Sequence, residues 1–397
     1  MRATTLKASA AGLDGLLAYY AGLAADHARR DGAARGPVDY YLDRSEPPGR
    51  WRGGGCAALG LGGEVRADQL EALLTARHPE SAKRLGRGFG DRSARAFDAT
   101  FSAPKSVSVL WALAPDPFVR AEVAAAHDAA TGAALDWFEG HGALSRRGTD
   151  GVHQVDAQGL AVAVFRQHTS RAADPQLHSH AIVAAKVQDP TGRWLALDAR
   201  FLKRQQRSIG WVYAAALRCE LTARLGLGWG PVAEGHGDIA GVPERLVEEF
   251  SKRTEQVEAR LGELVAEWVD AHHGAEPDAR TLWRLERRAV LDSRPAKQPV
   301  GDAEVLRAEW RRRAAAVGVE ALELPASPAP PGTAAFDPEA VIDQALARVA
   351  ADSATWLAAD LAREIATLVP AGAAGSAGEL VQLVDRLAAR AAGRCME

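Results

Sequence analysis

Two β-rich runs stand one turn apart in this chain, and they constrain its fold more than any other feature. GLAVAVFRQH ends at residue 168 and HSHAIVAAKVQ begins at residue 178. The segment between them, TSRAADPQL, carries an Asp174-Pro175 turn signal. An antiparallel hairpin is the economical reading. Side chains alternate along a strand, so His178 and His180 share one face and Ser179 takes the other. Two imidazoles at that spacing can hold one cation. A third from the neighbouring strand, His168, would complete a facial set with open positions. His-x-His is also a common and inert pattern. On these residues alone, a metal site and a coincidence beside a turn both stay open.

The rest of the chain supplies the surroundings. Residues 8–34 read as helix, 40–65 as a loop rich in Gly, Pro and Arg, and 67–86 as helix. ARAFDATFSAPKSVSVLWAL opens with strand alternation, Phe97, Ala99 and Phe101 on one side, Asp98 and Thr100 on the other. A long helix is expected over 117–141, a strand passing into a helix after residue 193, and charged helices over 243–318. The Pro-rich LPASPAPPGTAAF, around 324–336, reads as a linker. The pattern predicts an α+β fold, an antiparallel sheet flanked by helices and followed by a helical C-terminal region. The expected division is 1–320, a linker at 321–336, and a small helical tail at 337–397.

Composition narrows the function classes. With 47% hydrophobic residues in 397, the chain can bury a sizeable core. Its three cysteines form no pairing framework and no CxxC, which suits a reducing cytoplasm. No signal-peptide core and no membrane-length apolar run is visible, so no membrane insertion is expected. No P-loop motif is present, which excludes a P-loop motor on the residues given. The net charge of −3 does not favour a nucleic-acid partner. Residues 1–210, however, carry 27 Lys+Arg against 22 Asp+Glu, so the histidines lie in a basic half that permits a phosphate partner.

Four of the five tyrosines come as pairs, Tyr19-Tyr20 and Tyr40-Tyr41. They could be packing aromatics. A phenol can also be a nucleophile that forms a covalent intermediate, provided something activates it. Tyrosine, three histidines and one carboxylate together suit phosphodiester cleavage through a phosphotyrosine.

At this point the sequence resembles the TrwC/MobF-type conjugative relaxases of the HUH endonuclease superfamily. The matching stretches are YY at 19–20, FDATFSAPKSVSVLW at 97–111, FRQHTSRAADPQLHSHAIV at 165–183 and EFSKRTEQVEAR at 249–260. The resemblance covers roughly 1–320. It implies a five-stranded antiparallel sheet carrying the site, and site- and strand-specific nicking of single-stranded origin-of-transfer DNA beside a hairpin. It also implies relaxosome accessory proteins and a coupling protein as partners, and a helicase that usually follows on the same chain.

Carried over residue by residue, His178 and His180 match the family's histidine pair. Asp98 matches its active-site carboxylate, Tyr19 its initiating nucleophile and Tyr40 a second nucleophile. The chain departs from the pattern twice. The family's spacing puts the third metal ligand at Gln167, one step before His168. A one-residue slip on a strand reverses the face, so His168 needs a bulge or strand end to re-aim it. His168 is the expected third ligand, with Gln167, through its carbonyl oxygen, as the alternative. The gap between the tyrosine pairs is also longer than in the family. The implied cofactor is a divalent ion, Mg2+ or Mn2+, with other transition ions fitting imidazoles too. Lys105, Arg166, Arg171, Lys203 and Arg204 are candidate phosphate contacts. The rival readings are a relaxase remnant that binds DNA without cutting it, an HUH replication initiator or transposase, and a small-molecule metallohydrolase.

Overall fold

The computed structural model describes residues 1–7, 47–170, 172–293, 303–322 and 336–395. Its centre is a five-stranded sheet in the order β1-β3-β7-β6-β2. The strands are β1 (Arg2–Lys7), β2 (Arg50–Arg52), β3 (Ala94–Ser102), β6 (Val162–Thr169) and β7 (Pro175–Ala184). Every neighbouring pair is antiparallel. β6 and β7 are the expected hairpin. Two small ribbons lie outside it: β4 (Leu144–Arg147) with β5 (His153–Asp156), and β8 (Lys186–Gln188) with β9 (Trp194–Ala196).

The helices among the described residues are α1 (Ala67–Leu74), α2 (Lys105–Leu113), α3 (Pro117–Gly142), α4 (Arg200–Arg204), α5 (Gln206–Leu225), α6 (Glu244–Glu249), α7 (Lys252–Ala271), α8 (Ala279–Asp292), α9 (Ala303–Ala316), α10 (Pro338–Asp352), α11 (Ala358–Leu368) and α12 (Ala377–Gly393). Local chemistry sets several of their ends. Asp116 accepts from the Phe118 backbone N–H at 2.8 Å, and Pro117 follows it, so α3 starts where a capping acceptor meets a pre-set φ. α5 stops at Gly226, whose φ of 64° suits a residue without a Cβ. α1 ends at residue 74, short of the helix expected to 86. The isolated bridge between Arg77 and Arg84 and the left-handed Ala76 and Ala82 replace the remainder.

The sheet has two faces, and its alternation decides what each carries. Phe97, Ala99, Phe101, Leu177, Ala181 and Val183 point toward α2, α3 and α5 and join the main core. Ala96, Ala163, Phe165, Ile182 and Ala184 point the other way. They pack with Trp51, Leu59 and the leucines of α1 in a second, smaller core. That second core covers the end of the face nearest Ile182 and Ala184. The other end of the same face carries Asp98, Thr100, His178 and His180.

α10, α11 and α12 follow the Pro-rich stretch, and they share the main core instead of building one apart. Val341, Ile342, Leu361, Ile365, Leu380 and Val384 belong to the same buried cluster as the sheet. Trp137 Nε1 of α3 donates to Asp385 at 2.7 Å, and Arg218 of α5 donates to the Ala366 carbonyl at 3.0 Å.

Candidate functional site

β3 and β7 build the heart of the site by register. Thr100 lies opposite His180, Ser102 opposite His178, and Asp98 opposite Ile182. Directly opposed residues in an antiparallel pair project to the same face. Asp98 therefore stands one residue pair along from His180 on one surface. Both carboxylate oxygens of Asp98 lie 3.0 Å from His180 Nδ1. Thr100 Oγ1 reaches Asp98 Oδ1 and His180 Nδ1 at 3.4 Å each.

The two imidazoles are prepared in the same way. His178 Nδ1 lies 2.8 Å from the carbonyl oxygen of Gln176. A carbonyl only accepts, so Nδ1 carries the proton and Nε2 keeps its lone pair. His180 Nδ1 faces a carboxylate, which also only accepts, so Nδ1 carries a proton there too. The ring centroids are 5.3 Å apart with the planes at 73°, a spacing at which both Nε2 atoms can serve one ion. Burial, and then the neighbouring His180, push His178 down to about 4, so it is a neutral donor near neutral pH. Two imidazoles on one face, one of them bonded to Asp98, are a donor set that fits a divalent cation.

His168 has a different setting. Its ring stacks on the indole of Trp111 in α2, with centroids 4.4 Å apart and planes 6° off parallel. Trp111 in turn meets Trp310 of α9 edge-on. Burial pushes His168 down to about 3. Gln167, one residue earlier, lies directly opposite His178. Among the described residues, no group of three or more His, Cys, Asp or Glu side chains is arranged to hold a metal ion.

Behind the pair lies a polar chain with no counterpart in the sequence reading. Ser179 points into the main core, where its Oγ lies 2.8 Å from His127 Nε2. His127 Nδ1 lies 2.8 Å from the Tyr213 hydroxyl. The chain runs from β7 through α3 to α5. Burial holds His127 well below the ordinary imidazole value and Tyr213 well above the ordinary phenol value. The available signal was a histidine within an Ala-rich helix and the one tyrosine outside the pairs.

The candidate phosphate contacts divide. Arg166 ion-pairs with Asp128 of α3 and donates to the Ala124 carbonyl at 3.2 Å. Lys105 donates to the Pro175 carbonyl at 2.9 Å, and burial pushes it down to about 8. Both tie helices to the hairpin. Lys203 and Arg204 are exposed on α4. The Lys203 ammonium lies over the Phe97 ring, on the sheet face opposite Asp98. Tyr19, Tyr40 and Arg171 lie outside the described residues. Trp51 is buried and donates through its indole N–H to Gln69 at 3.0 Å.

A family model described as TrwC relaxase matches residues 16–317. The multifunctional conjugation protein TraI of Escherichia coli (strain K12) is 34% identical over 276 residues, which is 66% of this chain and 14% of that protein. A second Escherichia coli TraI is 34% identical over 275 residues, again covering 14% of its length. Among solved structures, the metal-bound conjugative relaxase TrwC in complex with oriT DNA is similar with a TM-score of 0.62 and 33% identity, covering 80% of this chain and 98% of that one. TrwC complexed with a 27-mer DNA comprising the recognition hairpin and the cleavage site is similar with a TM-score of 0.61 and 30% identity, again over 80% and 98%. With a family model spanning most of its length and the five-stranded antiparallel sheet in place, the chain belongs to the TrwC relaxase family.

Proposed function

We propose that this chain is a conjugative relaxase that cuts and rejoins one strand of origin-of-transfer DNA through a tyrosine ester. The observation that carries the reading is the His178–His180 pair on one sheet face, with Asp98 bonded to His180 from behind. A divalent ion held there would neutralise the scissile phosphate and polarise a non-bridging oxygen. His178 and His180 would hold that ion through Nε2, and Asp98 keeps the proton of His180 on Nδ1, which leaves Nε2 for it. Tyr19 is the nucleophile. Its phenolic oxygen forms a bond to phosphorus as the P–O3′ bond breaks in line. The phenol proton is released and the 3′ oxygen takes one up, leaving a 5′-phosphotyrosine and a free 3′-OH. The ester retains the bond energy, so a later 3′-OH can reverse the step and close the strand. Tyr40 is the candidate for a second transfer.

Imidazole donors favour Mn2+ and later transition ions over Mg2+. Lys203, Arg204 and Arg171 are assigned to the DNA backbone. Lys105 and Arg166 are assigned to holding the hairpin, which is how their carbonyl and carboxylate partners use them. Accessory proteins and a coupling protein belong to the same reading, and so does a cytoplasmic setting, where the donor DNA is.

The test is a fluorescent single-stranded oligonucleotide carrying the nic region of the element that encodes the chain, incubated with protein and Mn2+ and run on a denaturing gel. A covalent protein–DNA band that disappears in Tyr19→Phe and with EDTA is expected. DNA binding without any such band in the unaltered protein would overturn the catalytic reading and leave a DNA-binding remnant.

A further inference from the structure

We propose that the third protein donor to the cation is the side-chain carbonyl oxygen of Gln167, and that His168 is a packing residue. The inference rests on the metal-site reading above and concerns which strand residue completes it.

Register carries the argument. β6 and β7 are paired so that Phe165 lies opposite His180 and Gln167 opposite His178. Opposed residues share a face, so Gln167 projects to the surface that carries both imidazoles and Asp98. It is 9% exposed, beside a fully opposed imidazole. The side-chain oxygen of a glutamine is a neutral, hard donor that suits a divalent ion.

The register shift follows directly. The next pair after Gln167–His178 is Thr169–Pro175. One residue on β6, His168, therefore faces two on β7, Gln176 and Leu177. The extra residue belongs to β7, and its insertion leaves the direction of His168 unchanged. His168 keeps its alternation onto the main-core face, where it is 7% exposed and lies flat on Trp111. Trp111 belongs to the core on that face and Phe165 to the core on the other. For His168 to join His178 and His180, its ring would have to leave the indole and cross the sheet. A two-imidazole, one-amide set is less basic and harder than three imidazoles. Its preference for late transition ions over Mn2+ and Mg2+ is correspondingly smaller.

The test uses the full chain and the metal alone. Cu2+ electron paramagnetic resonance reads the number of bound imidazole nitrogens, and Mn2+ titration followed by the free-ion signal reads affinity. Variants are His178→Ala, Gln167→Ala, Gln167→His and His168→Phe, the last keeping an aromatic ring on Trp111. Expected results are two imidazole nitrogens in the unaltered protein and three in Gln167→His. Mn2+ affinity should fall about tenfold or more in Gln167→Ala and stay unchanged within about twofold in His168→Phe, inside the scatter of a merely structural change. Three nitrogens in the unaltered protein, falling to two in His168→Phe, would overturn the inference and leave the relaxase reading standing. Binding indifferent to His178→Ala would remove the metal site itself, and both readings with it.

Discussion

Ser179 Oγ lies 2.8 Å from His127 Nε2, on the sheet face opposite the two imidazoles that flank Ser179 in sequence. The residue between the candidate ligands is thus anchored to α3, and through Tyr213 to α5. The backbone of the site is held from behind by a buried polar chain whose members all have partners. A half-made version of such a chain is costly.

Replacing His127 with Phe leaves the Ser179 and Tyr213 hydroxyls buried without their shared partner. A loss of about 2–6 kcal/mol is expected, from two unsatisfied groups at roughly 1–3 kcal/mol each. Urea denaturation with EDTA present measures it, as a lower midpoint at unchanged m-value. A midpoint equal to that of the unaltered protein would mean the chain does not hold the strand.

Asp98→Asn should spare the fold and weaken the metal. The carboxamide keeps the shape but loses the charge that holds the His180 Nδ1 proton in place. Outer-sphere partners of this kind are worth about 10- to 100-fold in metal affinity. Calorimetric Mn2+ titration reads this, and the metal-free melting temperature serves as the control. Unchanged affinity would rule out Asp98 as the orienting group.

The metal-free protein should lose stability in mild acid. Burial holds His168 near 3, His178 near 4 and His127 well below its ordinary value. In the unfolded chain each titrates near 6.5. Above that pH neither state binds these protons and stability is full. As pH falls from about 6.5 toward each folded value, only the unfolded chain takes them up. Each imidazole then costs up to about 1.4 kcal/mol per pH unit. Denaturation at pH 7.5, 6 and 5 should show this slope, and His168→Phe should flatten it by about one proton's worth. A slope unaffected by His168→Phe would contradict a buried neutral ring on Trp111.

Truncation after residue 320 should damage the protein even though the matched family region ends at 317. Removing α10 to α12 uncovers the apolar faces of α5 and α3 and strips partners from Trp137 and Arg218. A melting temperature lower by several degrees, or aggregation, is expected from the exposed patch. A truncated chain as stable as the full one would make the tail an independent unit, as the Pro-rich stretch alone suggested.

Much of the site was legible because its determinants are local. Alternation fixes that His178 and His180 share a face and that Asp98 and Thr100 lie opposite Phe97 and Phe101. Asp174-Pro175 marks the turn. The sequence by itself therefore determined the hairpin and the shared face of the imidazole pair, while Asp98 was singled out as a site residue by the family resemblance. Tertiary structure decided the rest. Cross-strand register is a non-local quantity, so only the paired strands put Gln167 opposite His178, while the main core holds His168 on Trp111. The basic residues looked alike in sequence. Packing gave Arg166 to Asp128 and Lys105 to the Pro175 carbonyl, because a half-buried cation needs an acceptor at hand, and left Lys203 and Arg204 exposed. The helices after the Pro-rich stretch read as a separate tail because composition records chain flexibility. Their place on α5 and α3 follows from apolar faces that are buried only when the two parts meet.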